Sequence, residues 1–171
     1  NYMKAQAEAD PQHACFWNRG IITKDLEFIP PEFMPPDQAP IFHMNWTDLP
    51  VQWGTGTYYG DGSGGEFSRR PKLRRCGSSV GKLTPDGCMS HHVAYSILPV
   101  EQQTVPRSEL YALIMLLNLA LPNSLLIYWT DHQNIFKNYP KGKQYNLNSI
   151  NVDLYLVIYQ LVESKNLGLT I

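Results

Sequence analysis

Glu109 to Asp131, ELYALIMLLNLALPNSLLIYWTD, is the stretch that decides how this chain folds. Leu110, Leu113, Ile114 and Leu117 recur at helical spacing, and Pro106 just upstream suits a first turn, where its missing N–H costs nothing. Pro122-Asn123-Ser124 closes the helix. Leu125 to Thr130 then reads as a continuous apolar run, as expected of a buried parallel strand. The lengths match. A helix of about 13 residues ending at Leu121 covers roughly 20 Å. The strand from Leu125 to Asp131 returns over roughly 23 Å. Glu109 and Asp131 are therefore expected at one level, on one edge of a sheet.

Working outward, Thr57-Tyr58-Tyr59-Gly60-Asp61 reads as a strand running into the glycine-rich turn Gly62-Ser63-Gly64-Gly65. Arg74 to Lys82 and His91 to Leu98 read as two more strands, joined through the turn Pro85-Asp86-Gly87. Three consecutive strands with short connections imply an antiparallel meander. After Asp131 come a short helix, a polar lysine-bearing loop, and a helix from about Asn151 to Val162. Leu154, Val157, Ile158 and Leu161 supply that helix's apolar face. Leu167 to Ile171 reads as a last strand. The expected class is α/β: a mixed five-stranded sheet, three antiparallel strands and then parallel ones, flanked by helices. A right-handed crossover makes the strand ending at Asp131 parallel to an earlier one. If that neighbour is the first strand, Asp61 joins Glu109 and Asp131.

Composition narrows the function classes. At 171 residues, with 43% hydrophobic and 17% charged residues, the chain suits one globular domain with an appended arm. A net charge of −1 means that any nucleic-acid binding must come from a local basic patch. Cys15, Cys76 and Cys88 are widely spaced and odd in number, against a disulfide framework or a zinc site. An intracellular, reducing compartment is expected, with nucleus, cytoplasm and organelle all open. Leu110 to Leu121 is the longest apolar run and is broken by Asn118; a membrane span needs roughly 20 residues. No membrane span is expected.

Residues 1–52 differ from the rest. Proline from Ile29 to Pro40 is too dense for helix or central strand, so this part is read as an extended arm, with the domain over 53–171. Its aromatic residues, among them Phe16, Trp17, Phe33 and Phe42, imply that it lies against the domain or against a larger assembly. The sequence opens at Asn1 and stops at Ile171 in a β-prone stretch, and is read as a piece of a longer polypeptide.

Carboxylates gathered as Asp61, Glu109 and Asp131 repel one another unless a cation neutralises them, and oxygen ligands suit Mg²⁺ or Mn²⁺. Two such ions, roughly 3.5–4 Å apart, can activate water and stabilise the leaving oxygen in phosphodiester cleavage. Taken singly, each residue has an ordinary structural role as turn residue, first-turn acid or N-cap. The joint spacing is what points to metal.

The motif wording adds a family. Tyr59-Gly60-Asp61-Gly62-Ser63-Gly64 resembles the first-strand DGS motif of the ribonuclease H family. Thr104 to Ala112, with Arg107, Glu109 and Leu110, is similar to its second motif, and Thr130-Asp131-His132-Gln133 to its third. Asn151 to Tyr155 is similar to the start of its late helix. The match runs over about residues 53 to 171. The resemblance implies a ribonuclease H-like fold in which Asp61, Glu109 and Asp131 are catalytic metal ligands. Gly62, Ser63 and Gln133 would lie against the nucleic-acid backbone. It implies cleavage of the RNA strand of RNA–DNA hybrids, told apart by the 2′-hydroxyl. It also implies a fourth carboxylate on a helix after the final strand, preceded by a loop carrying a histidine; Ile171 comes before both. Asp153 matches a helix-start position outside the site, and Gly60 stands where the family often has Thr.

Arg69 to Arg75 holds five of the chain's 14 basic residues, and Arg74 and Arg75 are candidate phosphate contacts close to Asp61; a solvated hairpin is the competing reading. Lys137 is a weaker candidate, in a cluster with Lys141 and Lys143. His91 and His92 point to opposite faces of a strand and do not suit one ion. Trp53 and Trp129 read as packing aromatics. Two functions are carried forward: a hybrid-cleaving nuclease, and a degenerate module of the same fold that binds RNA or serves as a structural subunit.

Overall fold

Three strands rich in small residues, with Tyr58, Val80 and Ala94 turned to the core, form the central meander of β2 (Gly56–Ser63), β3 (Gly77–Leu83) and β4 (Met89–Ile97). The computed structural model describes residues 41–45, 52–65, 68–69, 74–99 and 102–171, with Ala5, Glu8 and Ala9. The proline-rich stretch, and the rest of the expected arm apart from these, lie outside the described residues. The β3–β4 hairpin turns at Gly87, whose φ of +81° L side chains rarely adopt. β1 (Phe42–Asn45) pairs antiparallel with β4, Phe42 opposite Tyr95. The sheet thus carries the five strands read from the sequence and a sixth, drawn from within residues 1–52.

Helix α1 (Val105–Leu119) starts with proline in its first turn and crosses to β5 (Leu125–Trp129), which lies parallel to β2 with Tyr59 opposite Trp129. Helices α2 (Gln133–Asn138), α3 (Lys143–Asn146) and α4 (Val152–Ser164) follow. β6 (Gly168–Thr170) then adds parallel to β5, giving the order β1-β4-β3-β2-β5-β6.

Register sorts the strand residues by face. Tyr58, Val80, Ala94, Leu126 and Tyr128 point toward α1 and are all buried. Helix α1 packs on β2 and β3 and against α4, so it is buried on nearly every side from Arg107 to Leu117. Each such leucine contributes about 1.5–3 kcal/mol by leaving water. The opposite face differs from expectation. Strand β5 alternates exposed and buried residues rather than being buried throughout, with Leu125 65% and Trp129 60% exposed. The reason is coverage: α1 closes one face only, so alternate members of an apolar run stay open. Trp53 is a core residue as expected, whereas Trp129 is not.

Polar ties lock the helices. Lys165 Nζ donates to the carbonyls of Leu117, Asn118 and Ala120 at 2.9, 2.6 and 3.0 Å, capping the end of α1. The side-chain nitrogen of buried Asn146 lies 3.0 Å from the carbonyls of Asn138 and Gly142 and 2.9 Å from the Tyr159 hydroxyl, pinning the loop between α2 and α4.

Candidate metal centre

Three elements each bring one acid to the same sheet edge. Asp61 lies on β2 two residues beyond Tyr59, and Asp131 lies two beyond Trp129, the partner of Tyr59. The parallel register therefore sets the two aspartates side by side. Glu109 sits in the second turn of α1. One carboxylate oxygen from each of the three lies within 4.8 Å of the others. Asp61 and Asp131 are exposed, and Glu109 is buried.

Close approach of α1 to β2 makes this possible, and Gly62 permits it. A Cβ at Gly62 would stand 2.5 Å from Ser108 Oγ and 2.6 Å from the Glu109 backbone nitrogen. Any side chain there would push the helix, and Glu109 with it, off the strand. Ser78 on β3 secures the same junction, its Oγ donating to the Ser108 carbonyl at 2.7 Å.

Charge and burial act together on Glu109. Burial raises its pKa, the Gly62 N–H donating to the carboxylate lowers it, and the charges of Asp61 and Asp131 raise it; the result is about 7. Among the described residues its buried Oε2 has no hydrogen-bond partner. A cation fits such a site. It would relieve the mutual repulsion, and hard oxygen donors are what Mg²⁺ and Mn²⁺ accept.

The remaining sequence-derived residues are placed as follows. Ser63 flanks the cluster at the end of β2, accepting from the Gly65 N–H at 3.2 Å. Gln133 and Lys137 are exposed on α2, directly after Asp131. Arg74 and Arg75 are half-buried. Arg74 donates to the carbonyls of Ser68 at 2.7 Å and Gln103 at 3.3 Å, tying its loop to the segment before α1, and Arg75 donates to the Arg74 carbonyl. Lys143 pairs with Glu163 at 2.7 Å, and Lys141 donates to Asn138 and Tyr145. Arg70 and Lys72 lie outside the described residues.

Sequence reasoning passed over two features. Buried Arg107 is gripped by both carboxylate oxygens of Asp153, with Asn151 Oδ1 at 3.2 Å from its NH1. That pair ties the start of α1 to the start of α4, two residues from Glu109. The signal was present, since both residues stand inside quoted motifs, but the 46-residue separation hid the pairing. The second feature is Tyr128, which lies fully buried within the apolar run, its hydroxyl without a hydrogen-bond partner.

No protein-family model matches the chain, and no curated protein matches it. Solved structures do. The foamy viral protease–reverse transcriptase in complex with an RNA/DNA hybrid matches with a TM-score of 0.50 at 13% identity, over 86% of this chain. This chain spans 20% of that one. The fold is ribonuclease H-like. The foamy viral enzyme in complex with dsDNA matches with a TM-score of 0.44 at 15% identity, over 71% of this chain and 83% of that one. RNase H1 from the halophilic archaeon Halobacterium salinarum matches at 0.46 and 17% identity, over 68% and 84%. At these identities the likeness concerns the ribonuclease H-like fold, and the function must be argued from the site. Among the described residues no helix is long and apolar enough to cross a membrane.

Proposed function

We propose that this chain holds Mg²⁺ or Mn²⁺ between Asp61, Glu109 and Asp131 and hydrolyses the RNA strand of RNA–DNA hybrids. The observation carrying this reading is that three separate elements deliver oxygens to within 4.8 Å, one of them on a buried glutamate. Placing a third acid there against repulsion and desolvation is a cost that packing alone does not repay. When bound, divalent ions supply Lewis-acid activation of water and compensation of phosphate charge. The chain's own residues do the rest. Asp61 and Asp131 present oxygens from the open side, and Glu109 from the helix side, with its carboxylate steered by the Gly62 N–H. Ser63, at the end of β2, is proposed to lie against a sugar-phosphate, and Gly62 beside it to contribute through its backbone, since the space of a side chain there is taken by Ser108 and Glu109 of α1. Gln133 and Lys137 on α2, with Arg74 and Arg75 before β3, are the proposed backbone contacts.

A hybrid-cleavage assay with Mg²⁺ compares the native chain with Asp61→Asn. Cleavage by the native chain and loss of at least about a hundredfold in the variant are expected, since the substitution removes a carboxylate that would hold the metal. Equal cleavage by both discards the metal model. Hybrid binding without cleavage by either favours the second reading, a non-catalytic nucleic-acid-binding module.

A further inference from the structure

Beneath the acid cluster, on the face closed by α1, Tyr128 stands three residues before Asp131 and is 1% exposed. A Cβ at Gly60, on the adjacent strand, would stand 2.0 Å from the Tyr128 Oη and 2.7 Å from its Cε2 and Cζ. The tyrosine tip therefore fills the volume that a side chain at position 60 would need, next to the backbone of Asp61. Among the described residues its hydroxyl has no hydrogen-bond partner, and neither has Oε2 of Glu109, which is also buried. Burial chiefly raises the pKa of that hydroxyl, and the charge of Glu109 raises it further, ahead of Tyr59, Asp61 and Asp131. A buried donor without an acceptor and a buried acceptor without a donor thus share one end of the closed layer.

Packing alone does not account for this. Phenylalanine would fill nearly the same volume without burying an unsatisfied hydroxyl, and such groups are rarely left so in folded proteins. We propose that Tyr128 is a positioning residue of the metal centre: its hydroxyl donates to the inner oxygen of Glu109 through one trapped water. That bond fixes which carboxylate oxygen turns toward an ion held with Asp61 and Asp131. The inference rests on the metal reading above and adds a residue to it. Partners that orient ligands in this way commonly govern metal affinity about tenfold or more.

Mn²⁺ titrated calorimetrically into the full chain, Tyr128→Phe and Asp61→Asn, with thermal unfolding of each in EDTA, separates the two ideas. The native chain is expected to bind, Asp61→Asn to lose binding, and Tyr128→Phe to bind about tenfold more weakly with its Tm unchanged or raised. Native-like affinity in Tyr128→Phe overturns the positioning role and leaves the metal centre standing. Weaker binding accompanied by a fall in Tm of more than about 4 °C assigns the effect to packing and also overturns it. Failure of the native chain to bind Mn²⁺ more tightly than Asp61→Asn overturns both readings together.

Discussion

The two faces of the sheet are made from alternate residues of the same strands, yet they have opposite fates. One face, with Tyr58, Val80, Ala94, Leu126 and Tyr128, is sealed by α1. The other presents Phe42, Met44, Tyr95, Leu125, Ile127 and Trp129, each at least about a third exposed. Large apolar residues stand on both sides, so their burial here is decided by what lies opposite and not by residue type alone. The acid cluster straddles the seam. Glu109 belongs to the closed layer, and Asp61 to the open one, where it and Ser63 line a cavity of about 550 Å³ with Phe42 and Tyr95.

The largest expected effect tests the closed face. Leu113 is fully buried in α1, so Leu113→Ala removes apolar contacts and leaves a void between sheet and helix. A loss of about 2–5 kcal/mol is expected in urea unfolding. A loss below about 1 kcal/mol would mean that the helix–sheet layer is not the rigid half of the comparison.

Much of this organisation is legible in the sequence. Leu110, Leu113, Ile114 and Leu117 announce α1, and the matched lengths of helix and strand bring Glu109 level with Asp131. The right-handed crossover makes β5 parallel to an earlier strand, and the structure identifies that neighbour as β2. What the sequence concealed is of two kinds. Alternation within Leu125–Trp129 is invisible because every residue is apolar, so the open side of β5 depends on a covering layer that the strand itself does not encode. Long-range polar pairs are hidden for a different reason: Arg107 with Asp153, and Lys165 with the end of α1, are each an ordinary surface residue type until the helices meet. Tyr128 beside Gly60 is a size exchange across two strands, readable only once the register is known.

The next effect sharpens the seam. Glu109 has its pKa raised to about 7 from the usual 4.5, chiefly by burial, so the fold prefers its protonated form. The stability from that preference is complete below the unfolded value and is lost as pH rises through about 7. In EDTA the native chain should therefore lose on the order of 3 kcal/mol between pH 4.5 and pH 8 relative to Glu109→Gln, which has nothing to ionise there. Added Mn²⁺ should restore the native chain at pH 8 and leave Glu109→Gln nearly unchanged, read as paired Tm shifts. Parallel pH profiles for the two proteins would place Glu109 in solvent and remove it from the closed layer.

The smallest expected effect probes the open face, and it can break the comparison most directly. Ile127 is 47% exposed, and Ile127→Thr keeps the β-branched shape that suits a strand while replacing a methyl-bearing carbon by a hydroxyl. On a face that water reaches, the hydroxyl stays solvated and the change in stability should stay within about 0.5 kcal/mol. Under a covering layer the same hydroxyl would have to give up its water without a partner, at about 1–3 kcal/mol. A loss of that size in urea unfolding of the full chain would show that the face is closed in solution. Burial would then no longer distinguish the two sides of the sheet, and the cavity beside Asp61 would have to be counted as interior.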